Sequence, residues 1–247
     1  MKIIPVLDLK EGRVVRGIAG DRKSYQPIKS PFSESSLPVP LATGLSNHLG
    51  LNHFYLADLD ALAGHPPNSQ IYEALSNAGI RLDVDAGFCK LSHLEQAFEA
   101  GIDRAIIALE TLTDLDFLSD VLSTFGSEKI IFSLDLRQGV PVSPTNGWEN
   151  RTPLDIAAEA AELGVLNMII LDVAAVGTGS GLTTRSICEQ VATNFPEIEL
   201  ISGGGIHSVE EIEKLADQDI LAGLLIASLI HQQKLTASMI KRLNEQS

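Results

Sequence analysis

The chain has 247 residues, 45% of them hydrophobic and 20% charged, with 32 acidic against 18 basic side chains and a formal net charge of −14. This composition excludes a disordered chain, and the acidic balance without long Lys/Arg runs argues against nucleic acids and anionic membranes as partners. The two cysteines and six histidines have no metal-ligand or disulfide-framework spacing, and Pro5 and Asp8 interrupt the first apolar run. We therefore expect a cytoplasmic protein with no metal, signal peptide or membrane span.

In chain order, short apolar runs alternate with amphipathic stretches, which is typical of strands and helices around a parallel sheet. Residues 20–40 form a polar insertion, predicted to be a mobile loop over the carboxyl ends of the strands. Ser92, Ser208 and Thr152 (before Pro153) are predicted to begin helices. The predicted strands are 2–9, 53–59, 81–86, 104–108, 129–136, 167–173, 199–202 and 223–227, and the predicted helices include 68–78, 91–99, 115–124, 153–163, 186–194, 209–216 and 238–244.

The sequence of residues 4–15, Ile-Pro-Val-Leu-Asp-Leu-Lys-Glu-Gly-Arg-Val-Val, is echoed by residues 131–142, Ile-Phe-Ser-Leu-Asp-Leu-Arg-Gln-Gly-Val-Pro-Val. Weaker matches pair three later strands of each half. These repeats predict an α/β protein: a single (β/α)8 TIM-barrel domain over residues 1–247, built from two homologous half-barrels at about 1–125 and 126–247. A doubly wound open sheet is the alternative, disfavoured because no Gly-x-Gly-x-x-Gly follows the first strand.

The repeat places Asp8 and Asp135 at equivalent carboxyl ends of two predicted strands. Carboxylates in that position are partly desolvated, so one can hold a proton while the other stays ionised, as paired acid–base chemistry requires. Each aspartate could instead cap the loop that follows it, and the residues alone leave both interpretations open. Three further aspartates that end inner strands, Asp58, Asp60 and Asp172, are candidates for lining the cavity or its rim.

Glycine-rich turns follow the predicted sixth and seventh strands, and a small-residue turn follows the eighth. Backbone N–H groups at such turns bind phosphate, and barrels commonly build their phosphate site there. Tight turns without a ligand are the less favoured alternative. The predicted phosphate-binding residues are Gly177, Thr178, Gly179, Gly204, Gly205, Ala227 and Ser228.

By the repeat, a second and glycine-poorer phosphate pocket is predicted opposite, built from residues 61–64, 87–88 and 108–111 and including Gly87 and Ala108. A ligand with phosphates at both ends and its reacting centre near the two aspartates would span both pockets. Arg16 follows the first aspartate and is a further candidate for contact with substrate. Trp148 follows the second, and it could stack on a planar heterocycle or simply pack within its loop.

These motifs, together with Phe54-Tyr-Leu-Ala-Asp-Leu-Asp60 and Ser202-Gly-Gly-Gly-Ile206, resemble over nearly the whole chain the half-barrel-repeat family of histidine biosynthesis, in particular its ribotide isomerases. The resemblance implies a cofactor-free Amadori rearrangement of a bis-phosphorylated aminoaldose to an aminoketose. It implies Asp8 as general base and Asp135 as general acid. After the third strand the family usually has Gly-Gly-Gly-Ile-Arg, whereas this chain has Asp85-Ala-Gly-Phe-Cys89.

That departure leaves other functions open. One is a divergent isomerase-like branch that acts on another phosphorylated intermediate of cofactor or one-carbon metabolism. Another is a phosphate-binding barrel without turnover. In each case the expected partner is a phosphorylated small molecule, and the expected assembly is a monomer or small homo-oligomer.

Overall fold

Eight parallel strands close into a barrel in the computed structural model, which describes residues 1–112, 114–143 and 151–245. Each strand pairs with the next one along the chain, and β10 also pairs with β1, in the register Lys2 to Gly223. The fold is therefore a (β/α)8 TIM barrel, as predicted. The barrel strands are β1 (Lys2–Lys10), β3 (His53–Asp58), β4 (Arg81–Asp85), β5 (Arg104–Ala108), β6 (Ile130–Arg137), β8 (Asn167–Asp172), β9 (Glu199–Gly203) and β10 (Gly223–Ile226).

Helices connect these strands and cover the outside of the barrel. The larger ones are α1 (Pro38–Leu49), α3 (Ser69–Asn77), α4 (Leu91–Glu99), α5 (Leu115–Phe125), α6 (Pro153–Glu162), α7 (Arg185–Asn194), α8 (Val209–Ala216) and α10 (Ala237–Glu245). Short elements are the helices α2 (Leu59–Leu62) and α9 (Ser228–His231), a 3-10 turn at Ser127–Lys129, and the strands β2 (Arg13–Val15) and β7 (Val140–Pro141).

The apolar strand runs divide between two buried layers because successive side chains of a strand point to opposite faces. One set fills the barrel interior and includes Ile4, Ile106, Ile131 and Ile169. The neighbouring residues, such as Ile3, point outward and pack beneath the helices. A strand buried on both faces must be apolar at almost every position, which explains the continuous runs in the sequence.

Two predictions about local structure are wrong and two are confirmed. Helix α1 was not predicted, because its first residues, Pro38 and Pro40, were assigned to the loop over 20–40; prolines are tolerated in a helix's first turn. Ser92 does not cap α4, which begins at Leu91. The hydroxyl of Ser208 does accept from the Glu211 N–H at the start of α8, and Thr152 forms a capping box before α6.

The two strands that carry the predicted aspartates end in the same way. β1 and β6 each turn back into a short antiparallel strand, β2 and β7 respectively. Both turns have two consecutive residues with positive φ, Glu11-Gly12 and Gln138-Gly139, which is the type I′ pattern. Asp60 accepts the N–H of Glu11, and Asp172 accepts those of Gln138 and Gly139. These two acids therefore organise the rim.

The half-barrel boundary near residue 125 stays a prediction; it falls at the end of α5.

A polar cluster lies at the opposite end of the barrel, where the strands begin. Asp83 is 2% exposed and accepts two hydrogen bonds from Arg104, at 2.8 and 2.6 Å. It also contacts His53 Nε2 at 2.8 Å. Arg104 in turn donates to Asn167. This paired charge cluster contributes to stability and not to chemistry, because barrel enzymes perform their chemistry at the carboxyl ends of the strands.

Candidate active site

A cavity of about 750 Å³ opens at the carboxyl ends of the barrel strands, and both Asp8 and Asp135 line it. The two aspartates come from β1 and β6, which lie on opposite sides of the barrel, with three strands between them in either direction. The predicted loop over 20–40 crosses this face, and Tyr25 and Lys29 from it also form part of the wall. The structure therefore places the two predicted acids in one enclosed space large enough for a small-molecule substrate.

Asp8 is held beside Gly17, which follows β2. Burial raises the pKa of Asp8 from its ordinary value of 3.8 to about 6, while the charge of Arg22 and a hydrogen bond from the Gly17 N–H act in the opposite direction. A Cβ atom at Gly17 would lie 2.5 Å from Oδ2 of Asp8, so the absence of a side chain there allows the approach. Asp8 is therefore a carboxylate at neutral pH that protonates under mildly acidic conditions.

Asp135 lies deeper, with 5% of its surface exposed. The Ser133 hydroxyl donates to its Oδ1 at 2.8 Å, and the Glu110 N–H donates to its Oδ2 at 3.4 Å. Burial, followed by the negative charges of Glu110 and Asp85, raises the pKa of Asp135 well above 3.8. Because these neighbours repel a second negative charge, Asp135 favours its protonated form.

Three further polar residues on the wall were not predicted as site residues, namely Tyr55, Asp85 and Arg22, whereas Glu110 belongs to the second pocket predicted over 108–111. Burial and the charge of Glu110 raise the pKa of Asp85 to about 7, and the Tyr55 hydroxyl lies 3.4 Å from its Oδ2. Arg22 donates to Glu110 at 2.5 Å. Asp85 could have been predicted by the rule that selected Asp8, since it ends an inner strand, whereas Tyr55 lies in the middle of β3. Arg22 comes from the loop, and spacing along the sequence does not predict where a loop side chain lies in the fold.

The predicted phosphate-binding residues of the carboxyl-terminal half all lie on the cavity wall, together with Arg16. The set comprises Gly177, Thr178, Gly179, Gly204, Gly205, Ala227 and Ser228. Within the described part of the chain, the N–H groups of Gly179, Gly204 and Gly205 have no hydrogen-bond acceptor. A Cβ atom at Gly205 would collide with the carbonyl oxygen of Gly181. Close-packed turns with free N–H groups can bind an anion.

The opposite half is built differently. Gly87 and Ala108 lie outside the set of residues that line the cavity, and Ala108 is only 1% exposed. The Gly87 N–H donates to Asp85 and the Glu110 N–H to Asp135, so carboxylates already accept these donors. A phosphate-binding role for Gly87 and Ala108 stays a prediction. Trp148 lies outside the described residues.

Over residues 1–112, 114–143 and 151–245, no three His, Cys, Asp or Glu side chains are grouped so that they could hold a metal ion. The side chains on the cavity wall can transfer protons and bind anions. In the same part of the chain, no helix has both the length and the apolar character needed to cross a bilayer.

Comparison with known proteins adds a family. The profile of the family described as "Histidine biosynthesis protein" matches residues 2–236. A protein of Lachnoclostridium phytofermentans is 26% identical over 251 residues, covering 100% of both chains. One from Listeria monocytogenes is 30% identical over 240 residues and one from Bacillus cereus 28% over 242, each covering 94% of both chains. All three are named isomerases of a phosphoribosyl imidazole-4-carboxamide that carries a second phosphoribosylamino group.

Proposed function

The chain belongs to the histidine biosynthesis protein family, and from that premise we propose that it is an isomerase that rearranges a bis-phosphorylated aminoaldose into the aminoketose. The names of its relatives support an isomerase acting on a ligand with two phosphoribosyl groups. The reaction needs no external oxidant or reductant, because one carbon of the sugar is oxidised as its neighbour is reduced. A resident cofactor is therefore not part of the proposal.

The observation that carries the proposal is the division of protonation between two carboxyl groups of one cavity. Asp8, with a pKa of about 6, is mainly ionised at neutral pH and lies near the positive charge of Arg22, whereas burial and the neighbouring acids Glu110 and Asp85 raise the pKa of Asp135 well above its ordinary value. A base and an acid that face one substrate must differ in this way. Asp8 is accordingly assigned as general base and Asp135 as general acid.

The chemistry follows from these two roles. Asp135 donates its proton to the ring oxygen of the aminoaldose while the bond from that oxygen to C1 breaks, and the nitrogen lone pair forms a C1–N double bond. Asp8 then removes the proton from C2, which gives a C1–C2 double bond and returns the lone pair to nitrogen. A proton then adds to C1 while the hydroxyl on C2 gives up its proton, which yields the ketone at C2. A positioned side chain typically accelerates each such proton transfer by about a hundredfold or more.

One phosphate of the ligand is assigned to the carboxyl-terminal half of the cavity. The free N–H groups of Gly204 and Gly205 lie there, and Arg16 supplies a positive charge on the same wall. Together these groups provide directional donors and charge for a phosphate. Gly177, Thr178, Gly179, Ala227 and Ser228 complete this proposed binding surface.

A second candidate function is an enzyme of the same ancestry that acts on a different phosphorylated intermediate. Asp85 and Glu110 favour it, because they bring acidic groups to the half of the cavity where the other phosphate would lie. In this case the chemistry at Asp8 and Asp135 would be kept and the ligand changed. A cytoplasmic location and a monomeric or small homo-oligomeric state remain part of both proposals.

Complementation separates the two candidates. The wild-type gene is introduced into a bacterial strain that lacks the ribotide isomerase and is plated without histidine, beside Asp8→Asn and Asp135→Asn variants. Growth with the wild type and none with either variant supports the isomerase. If the wild type fails to rescue while thermal shift shows stabilisation by other sugar phosphates, the second candidate replaces the first.

A further inference from the structure

The two ends of the cavity differ in the donors that they offer to a ligand. In the carboxyl-terminal half, backbone N–H groups of the glycine turns are free within the described chain. In the amino-terminal half, the N–H groups of Gly87 and Glu110 already donate to Asp85 and Asp135. A phosphate at this second end cannot use those two N–H groups, so a side-chain donor would have to replace them.

Arg22 is the cation nearest to that end. Its guanidinium donates to Glu110, which follows β5, through one Nη2–H at 2.5 Å. Its charge also acts on Asp85 and Asp8, lowering the pKa of both. Within the described chain Glu110 is the acceptor of the Arg22 guanidinium, and the side chain of Arg22 is 42% exposed. Since a guanidinium has several N–H donors, the others remain available to a ligand.

The segment that carries Arg22 is anchored on both sides of the cavity mouth. The Ala19 N–H donates to the Val176 carbonyl at 2.7 Å, beside the glycine turn of the carboxyl-terminal half. The carbonyl of Arg22 accepts a hydrogen bond from Lys10 Nζ at 3.0 Å. From there the Arg22 side chain reaches Glu110 in the amino-terminal half. The loop thus delivers a positive charge to the end where the N–H groups of Gly87 and Glu110 are already engaged.

We propose that Arg22 is a specificity-determining residue that binds the second phosphate of the ligand, with Glu110 orienting its guanidinium. This inference rests on the proposed function, because it assumes a ligand with a phosphate at each end. An arginine suits the role, since its planar fork donates two parallel hydrogen bonds to phosphate oxygens. Arg137 also lines the cavity, but its guanidinium lies beside Gly20 and, within the described chain, makes no hydrogen bond to Glu110.

The test compares steady-state kinetics of Arg22→Ala, Arg22→Lys, Arg137→Ala and a matched control, Lys23→Ala. Lys23 is the neighbouring basic residue; it is exposed and lies outside the cavity wall. Measurements at pH 8 keep Asp8 ionised in every variant. Loss of a charged hydrogen bond to phosphate predicts a KM for the bis-phosphorylated aminoaldose about tenfold to a hundredfold higher in Arg22→Ala, with kcat changed far less. The KM of Arg22→Lys should lie between that of the wild type and that of Arg22→Ala.

Calorimetry with ribose 5-phosphate provides a second readout. We expect this monophosphate to bind in the carboxyl-terminal half, where the N–H groups of Gly204 and Gly205 are free, so its affinity should be the same for the wild type and Arg22→Ala. The inference is overturned if KM in Arg22→Ala matches that in Lys23→Ala, if Arg137→Ala alone raises KM, or if ribose 5-phosphate affinity falls as much as KM rises. Absence of turnover by the wild type would instead refute the proposed function. In that case calorimetry with the bis-phosphorylated compound still compares Arg22 with Lys23, and equal affinities overturn the inference.

Discussion

Replacing Gly17 by alanine tests the geometry on which Asp8 depends. The new Cβ atom would lie 2.5 Å from Oδ2 of Asp8, about 0.5 Å closer than real Cβ atoms approach, so the carboxylate must turn away. Asp8 then loses the hydrogen bond from the Gly17 N–H, a charge-assisted interaction of about 1.5–3 kcal/mol. We expect kcat/KM to fall by about tenfold to a hundredfold. The acidic limb of its pH profile should also move to higher pH, because that hydrogen bond lowers the pKa of Asp8.

The assay is the initial rate of aminoketose formation between pH 5 and pH 9. Gly50→Ala is the control, since Gly50 has positive φ and open space around it, so alanine there affects stability and not the site. An unchanged kcat/KM and an unchanged acidic limb in Gly17→Ala would refute the account of how Asp8 is held. An equal loss of kcat/KM in Gly50→Ala would show that the effect comes from lowered stability.

Three further predictions concern charge. Glu110→Gln removes a negative neighbour that raises the pKa of Asp135, so the alkaline limb of kcat should move to lower pH; a limb that stays in place contradicts the acid role of Asp135. Asp8→Asn should stabilise the fold at pH 8 by on the order of 2–3 kcal/mol. The reason is that the pKa of Asp8 is about 6 in the folded protein against 3.8 in the unfolded chain, so the wild type loses stability as pH rises between those two values. In urea melts the gain should vanish below about pH 4. Asp83→Ala leaves the half-buried Arg104 without its carboxylate partner and should cost about 3–5 kcal/mol in the same melts, with kcat unchanged in the folded protein.

Most of the fold was predictable because strands buried on both faces leave continuous apolar runs. All eight barrel strands occur where those runs predicted them, within one or two residues at their ends. Helix α1 escaped prediction because its prolines resemble those of a loop. Its packing also depends on a contact distant in sequence: a Cβ atom at Gly44 would collide with the carbonyl oxygen of Phe32. No periodic pattern reports that kind of contact.

The candidate site was predictable only where it follows from the repeat. Asp8 and Asp135 were found because strand ends in a barrel converge, and the structure places both on one cavity. The acids that set their pKa values were not predicted in that role. Asp85 aligns with Gly203 in the repeat and departs from the family motif, and Glu110 falls in the second pocket predicted over 108–111, but neither position indicates an effect on the two aspartates. Electrostatic coupling depends on distances across the barrel, which spacing along the chain does not give.

The most direct test of the proposed isomerase is conversion of the bis-phosphorylated aminoaldose by the purified protein, followed by proton NMR at pH 8. The wild type should produce the aminoketose without added metal or cofactor, while Asp8→Asn and Asp135→Asn, folded and still able to bind the substrate, should be slower by about a hundredfold or more. Full substrate recovery with the wild type, or turnover that survives both substitutions, would contradict the account.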